Sequence, residues 1–115
     1  MPLLKLETTV ALSEDKRKAL LAALSKIVGE TIGKPEEYVM VTVSPAGILM
    51  SGKPGEAAFV DVRSIGGLRG EVPRALSRKI CACLGDSLGI AQNRIYLNFT
   101  DVEAGKWGWN GNTFG

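Results

Sequence analysis

The sequence predicts an α+β fold, an α/β sandwich in which duplicated βαβ units form a four-stranded sheet with two helices on one face. Short segments of alternating or β-branched apolar residues indicate strands, and longer segments with apolar residues at helical spacing indicate helices. This order of patterns occurs twice, in halves that span about 1–56 and 57–115. We therefore expect residues 1–115 to form a single domain built from two similar units.

The first half reads as strand, helix and strand. Apolar and charged residues alternate over residues 4–10, which predicts a half-buried strand. Ser13 is a suitable helix N-cap, and Gly33 with Pro35 ends the helix. The β-branched run 38–43 predicts the second strand. The apolar stripe of the helix consists of Leu20, Leu21, Leu24, Ile27 and Val28.

The second half repeats this order. Strands are predicted at 59–63 and 95–99, with a Gly66-Gly67 turn after the first and Gly89 at the end of the helix between them. Residues 29–33 align with 85–89, and the aligned helical faces and final strands are also similar. Agreement in helix, helix end and strand together indicates a tandem βαβ repeat. The second helical face consists of Val72, Leu76, Ile80, Cys83 and Leu84.

Composition excludes several classes of function. The chain has 14 Lys and Arg against 12 Asp and Glu, so we expect no nucleic-acid partner and no membrane partner. It contains no histidine, which excludes Ser-His-Asp and Cys-His nucleophiles, and we expect no metal site. Cys81 and Cys83 are too few and wrongly spaced for a redox motif, and with no secretory signal pattern they predict a cytoplasmic location.

The apolar content is high for a short chain. Apolar residues make up 45% of the sequence, and the strand segments 39–41 and 95–99 carry apolar residues towards both faces of the sheet, including the face that the helices leave open. We expect other copies of the chain to cover that face in a closed homo-oligomer.

Pro2 is the candidate for the base that histidine cannot provide. Removal of Met1 would make its secondary amine the chain terminus, and burial or a neighbouring ammonium such as Lys34 would lower the pKa of that amine. A neutral amine near pH 7 is a competent general base. Many proteins begin with Met-Pro for no catalytic reason, and turn or strand packing equally explains Gly52–Gly55, Gly66–Gly70, and Tyr96 with Asn98.

Five segments, taken in order along the whole chain, resemble the macrophage migration inhibitory factor family of the tautomerase superfamily. They are Met1-Pro2, Gly33–Pro35, Ser64–Gly66, Asn93–Asn98 and Gly108–Phe114. The resemblance implies a homotrimer whose three sheets face inward and whose sites lie at subunit interfaces. It also implies keto–enol tautomerisation of phenylpyruvate-like α-keto acids and dopachrome-like compounds, without a cofactor.

The resemblance assigns roles to individual residues. Processed Pro2 is the catalytic base. Lys34 and the backbone N–H of Ile65 bind the carboxylate and carbonyl oxygens of a small aromatic α-keto or enol acid, and Ser64, which precedes Ile65, is also placed among the substrate-binding residues. Tyr96 and Asn98 come from the neighbouring subunit. An apolar wall completes the pocket and consists of Leu3, Tyr38, Trp107, Trp109 and Phe114.

The chain also departs from the family pattern. Residues 57–60 lack the CxxC of the best-known member, so we expect no thiol–oxidoreductase activity. Trp107 replaces a small aliphatic residue and reshapes the pocket mouth, while Arg63 adds a cation that favours acidic substrates. Two alternatives stay open: a cytokine-like ligand with vestigial activity, released without a signal peptide to act on a protein receptor, and a module that binds aromatic acids without turnover.

Overall fold

The computed structural model describes residues 1–115 and contains two α-helices and six β-strands. Three single 3₁₀ turns lie at Glu36–Tyr38, Gln92–Arg94 and Ala104–Lys106. The helices are α1 (Glu14–Ile32) and α2 (Val72–Leu88), and the strands are β1 (Pro2–Thr8), β2 (Met40–Pro45), β3 (Ala58–Ser64), β4 (Ile95–Asp101), β5 (Gly108–Trp109) and β6 (Asn112–Thr113).

The predicted βαβ duplication is confirmed. Moving β1 by 56 positions gives the bounds of β3, and the same shift relates the 3₁₀ turns before β2 and β4. Both helices end at a glycine in the left-handed region, Gly33 with φ 81° and Gly89 with φ 70°. In each, the N–H of that glycine donates to a carbonyl four residues earlier, which closes the last turn. Ser13 is the N-cap of α1, and its side chain accepts from the Lys16 N–H.

The four long strands form one mixed sheet in the order β2-β1-β3-β4. Within each βαβ unit the strands are parallel, β1 with β2 and β3 with β4, while β1 and β3 pair antiparallel at the centre. Pro2 pairs with Ser64 in this central ladder, so the start of β1 meets the end of β3. The two helices pack against each other over one face of the sheet, as predicted.

The core lies between the sheet and the helices. Alternate residues of β1 and β3 are buried there, including Leu4, Leu6, Val60 and Val62. The helices contribute the predicted stripes, with Leu20, Leu24, Val28, Leu76, Ile80 and Leu84 among their buried residues. Neither helix combines the length and the apolar character that crossing a bilayer requires.

The open face of the sheet carries apolar residues, as predicted, but only towards the ends of its strands. Its central row is polar across all four strands and contains Thr42, Lys5, Asp61 and Asn98. Apolar side chains lie towards the two ends of the strands, with Leu3 and Met40 at one end and Phe59 and Tyr96 at the other. The pattern of single strands missed this because the rows form only when the strands pair.

The second strand begins later than predicted. Tyr38 is not in it, because residues 36–38 form a 3₁₀ turn in which the Tyr38 N–H donates to the Pro35 carbonyl at 3.0 Å. In the C-terminal tail, β5 and β6 form a hairpin. The loop between β2 and β3 is irregular, and the Arg94 guanidinium fixes it by donating to the carbonyls of Glu56, Met50 and Lys53.

Candidate active site

A cavity of about 750 Å³ opens where β1 begins and β3 ends. Its floor contains Pro2 and Leu3, and its walls come from the turn before β2, from the end of β3 and from the C-terminal tail. Six of the residues predicted from the sequence line this cavity, namely Pro2, Leu3, Tyr38, Trp107, Trp109 and Phe114. Most of its lining is apolar, which suits a site that holds an aromatic ring away from water.

The C-terminal tail forms a rigid aromatic wall. Asn110 and Gly111 connect β5 to β6 with φ values of 51° and 77°, as a tight two-residue hairpin turn requires. The turn stacks the rings of Trp109 and Phe114 with centroids 5.8 Å apart and planes 12° apart. The Phe114 N–H also donates to the Trp107 carbonyl at 3.1 Å, so all three aromatic residues are held as one unit.

Lys34 lies beside the chain terminus, but neither Lys34 nor Ile65 is among the residues that line the cavity. It follows the glycine cap of α1, and its N–H donates to the Gly29 carbonyl at 2.9 Å, which fixes its backbone. Its ammonium donates to the Ile65 carbonyl at 3.5 Å. The Ile65 N–H donates to no acceptor in the protein, so the structure brings a cation and a free donor together near Pro2.

The terminal amine is less basic than usual. Burial lowers the pKa of the N-terminal ammonium group of Met1 below its ordinary value of 8.0, and the nearby Lys34 ammonium lowers this pKa further. Pro2, one residue farther along, is fully buried. In the chain that retains Met1, the nitrogen of Pro2 is a tertiary amide without basicity, so only the processed chain presents a Pro2 amine to the cavity.

The Ser64 side chain does not line the cavity. Ser64 pairs with Pro2 in the central ladder, and its side chain is buried on the helix side of the sheet. The Ser64 hydroxyl oxygen has no hydrogen-bond partner, and the Ser64 carbonyl accepts from the Val102 N–H at 2.9 Å. The backbone of Ser64 therefore anchors the tail, and its side chain contributes no surface to the cavity.

Tyr96 and Asn98 are not near Pro2 within one chain. Tyr96 pairs with Phe59, which is five residues before the partner of Pro2, so about 17 Å of strand separates the two positions. Asn98 lies in the middle of the outer strand β4, two strands away from β1. The Tyr96 side chain is 66% exposed on the open face.

The structure adds residues to the cavity that the sequence did not assign to it, among them Glu37, Val39, Met40, Val102 and Lys106. It also places Arg63 in the lining, where the resemblance had only suggested an extra cation. Arg63 and Met40 flank Leu3 in the paired strands, and the strand register, once known, identifies both. Glu37 and Lys106 lie in 3₁₀ turns, which have no periodic signal in the sequence.

Comparison with known proteins gives consistent matches over the whole chain. A family model described as macrophage migration inhibitory factor matches residues 1–115. A homologue of this factor from Trichuris trichiura is 38% identical over 115 residues, covering 99% of this chain and all of the relative. The factor from Meriones unguiculatus is 36% identical over 115 residues and 99% of each chain.

Solved structures agree with these sequence matches. The homologue from Prochlorococcus marinus superposes with a TM-score of 0.93 at 38% identity, covering 98% of this chain and 99% of that one. The macrophage migration inhibitory factor-like protein from Entamoeba histolytica superposes with a TM-score of 0.94 at 34% identity, covering 98% of both chains. The tautomerase-like α+β fold predicted from the sequence is thereby confirmed.

Proposed function

This chain belongs to the macrophage migration inhibitory factor family, part of the tautomerase superfamily of isomerases, and on that premise we propose that it is a cofactor-free keto–enol tautomerase. Its substrates are small aromatic α-keto or enol acids of the phenylpyruvate and dopachrome type. The observation that carries the proposal is the position of fully buried Pro2 in the lining of an apolar cavity. The Lys34 ammonium lies beside the chain terminus and donates to the carbonyl of Ile65, whose N–H is free.

The Pro2 amine acts as the base after removal of Met1. A neutral amine takes a proton from the enol oxygen or from the α-carbon and returns it at the other atom, so the reaction needs no oxidant or metal. The burial and the Lys34 charge that lower the pKa of the Met1 amine support this role, because processing moves the amine to the more deeply buried residue.

Lys34 and Ile65 hold the acid end of the substrate. The Lys34 ammonium pairs with the carboxylate, and the Ile65 N–H donates to an oxygen on which charge develops as the enolate forms. The apolar wall of Tyr38, Trp107, Trp109 and Phe114 encloses the aromatic ring and excludes water. Exclusion of water strengthens each of these electrostatic interactions.

The working form in this proposal is a homotrimer. Tyr96 and Asn98 lie far from Pro2 in their own chain, and a neighbouring copy would supply them to the cavity. Exposed apolar side chains on the open face and the loops support assembly, since Met40 is 62% exposed and Leu49 is 70% exposed. The outer edges of β2 and β4 have no partner strand within the chain, so both are available to neighbouring copies.

Two forms of the same protein test the role of Pro2. Intact mass identifies chains with and without Met1, and turnover of phenylpyruvate is measured for both. The Met1-retaining form has identical side chains but no basic Pro2 nitrogen, so we expect a loss of at least about a hundredfold in kcat/KM. Pro2→Gly in the processed chain should also lower kcat/KM strongly while the sedimentation coefficient stays unchanged. Equal turnover by all three forms contradicts the proposal.

Family membership equally supports a cytokine-like role. In that alternative the protein leaves the cytoplasm without a signal peptide and binds a receptor, and its turnover is vestigial. Receptor binding that survives in the Met1-retaining form, together with negligible turnover in the processed form, favours this alternative. A third outcome, in which an aromatic acid raises the unfolding temperature of the processed chain without turnover, favours a pure binding module.

A further inference from the structure

Arg63 lies in the cavity lining on the open face of the sheet. It is paired with Leu3 in the central ladder, so its side chain starts beside the cavity floor. Asp61, two residues earlier on the same face, accepts from the Arg63 Nε at 3.2 Å and from Nη2 at 3.1 Å. The Asp61 side chain is only 17% exposed, and this enclosed carboxylate fixes the direction of the guanidinium.

The fixed guanidinium keeps donors available. A guanidinium has five N–H groups, and Asp61 binds the edge formed by Nε and Nη2. The Nη1 group and the second N–H of Nη2 donate to no acceptor in the protein, so the fork formed by Nη1 and Nη2 is free. Such a fork matches the two oxygens of a carboxylate, and Arg63, which lines the cavity, is 54% exposed in the single chain.

The charges around the cavity favour a second anion. Lys34 lies on the helix side of the sheet, beside the terminus, and Arg63 lies on the opposite, open face. Lys106 adds a third cation at the tail, with only a 3.9 Å contact to exposed Glu103. Glu37 is the one acidic residue in the lining itself. One cation therefore lies on each side of Pro2.

We propose that the substrate carries a second carboxylate, at the end away from its α-keto acid, and that Arg63 binds it. This inference rests on the proposed function, because it adds a specificity determinant to the same cavity. The Lys34 side binds the keto acid that reacts at Pro2, and the free fork of Arg63 binds the distal carboxylate. The preferred substrates are thus aromatic or extended dianions, in place of a simple monoanionic phenylpyruvate.

Two substrates of equal shape test this specificity. One is phenylpyruvate with a para-carboxylate, and the other has a neutral para-carboxamide. For the processed wild-type protein we expect kcat/KM to be at least about tenfold higher for the carboxylate, as charge-assisted hydrogen bonds imply. Arg63→Gln should bring the ratio of kcat/KM for the carboxylate to kcat/KM for the carboxamide to about one. Arg63→Lys should retain part of the preference, because it keeps the charge without the fork.

Control variants separate specificity from folding. Arg78→Gln removes the same charge from the exposed surface of α2 and should leave the ratio unchanged. Arg63→Gln leaves Asp61 unpaired, so Asp61→Asn with Arg63→Gln serves as the second variant if the single variant unfolds. A wild-type ratio near one, or a ratio unaffected by Arg63→Gln or by the double variant, overturns the proposal.

A binding measurement distinguishes failure of this inference from failure of the proposed function. Para-carboxycinnamate and para-carbamoylcinnamate lack the keto group and undergo no tautomerisation, so calorimetry reports their binding alone. If neither pyruvate turns over, the proposed function fails. An Arg63-dependent preference for the dianionic cinnamate then still supports a second carboxylate site, and its absence refutes that site.

Discussion

Lys34 acts on the site in two separable ways. Its ammonium is the second cause, after burial, that lowers the pKa of the N-terminal amine, and in the proposed mechanism it also binds the substrate carboxylate. The first effect is electrostatic and acts in the free protein, whereas the second requires substrate. A substitution at this one residue should therefore change both the pH dependence and the substrate affinity.

Lys34→Gln should move the pH profile of the processed enzyme. A base works in its neutral form, so kcat/KM rises with pH as the amine loses its proton. The Lys34 charge lowers the pKa of the Met1 amine, and we expect it to act in the same direction on the Pro2 amine of the processed chain. Its removal should therefore raise the pKa of the Pro2 amine and move the rising limb of the pH profile to higher pH. Burial is the larger cause at the Met1 amine, so we expect the shift to be partial. We expect a higher KM as well.

Lys106→Gln is the matched control for this experiment. It removes one positive charge from the cavity lining, but Lys106 is not among the groups that lower the pKa of the amine. The rising limb of the pH profile of the Lys106→Gln variant should coincide with that of the wild type. A profile that is unchanged in Lys34→Gln, or that shifts equally in both variants, refutes the assignment of the pKa effect to Lys34.

At the scale of elements, the two helices end in the same way, but the space for a side chain near their last turns is unequal. Gly29 in α1 and Gly85 in α2 occupy equivalent positions one turn before the glycine caps. A Cβ at Gly29 would lie 3.0 Å from the Lys34 carbonyl and 3.3 Å from the Glu36 Cγ. A Cβ at Gly85 would lie 3.7 Å from the Ile90 carbonyl, an ordinary contact.

We expect Gly85→Ala and Gly29→Ala to have opposite effects on the free energy of unfolding. Alanine is favoured over glycine inside a helix by about 1 kcal/mol, and Gly85→Ala should gain most of this. At Gly29 the new methyl group presses on a backbone held by two hydrogen bonds to the Gly29 carbonyl, so the variant should be less stable. It should also weaken turnover, because Lys34 moves. Urea unfolding measures the free energy of unfolding of the two variants. Equal changes in this free energy would contradict the unequal spacing at Gly29 and Gly85.

The long elements were predictable from the sequence, whereas the short elements and the strand register were not. Helices and long strands repeat their apolar positions many times, so their type was predictable, and the duplication supplied an independent check. The 3₁₀ turn at 36–38 and the two-residue strands β5 and β6 are too short for any period. The predicted wall of Tyr38, Trp107, Trp109 and Phe114 came from the family resemblance, and periodicity contributed nothing to it. Arg63 gained a definite place only when β1 and β3 were paired.

At the scale of the whole molecule, one chain holds separated parts of the proposed site. Pro2 lies at the end of the central ladder, while Tyr96 and Asn98 lie on the outer strand β4, on the open face. That face has a polar central row, so burial of apolar surface alone does not explain assembly over it. In the proposed trimer, a cavity of one copy receives Tyr96 and Asn98 from the next copy.

Mixed trimers of two impaired variants should regain activity. Pro2→Gly replaces the secondary amine of each cavity by a primary amine and impairs the base, and Tyr96→Ala with Asn98→Ala removes the groups donated to the next cavity. When the two chains reassemble at random in equal amounts, about a quarter of the sites combine an intact Pro2 with intact Tyr96 and Asn98 in a cyclic trimer. The refolded mixture should therefore show about a quarter of the wild-type turnover of phenylpyruvate. The same chains refolded separately and then combined without subunit exchange are the control, and they give only the mean of the two variants. A refolded mixture that shows no more than this mean would falsify a site shared between subunits.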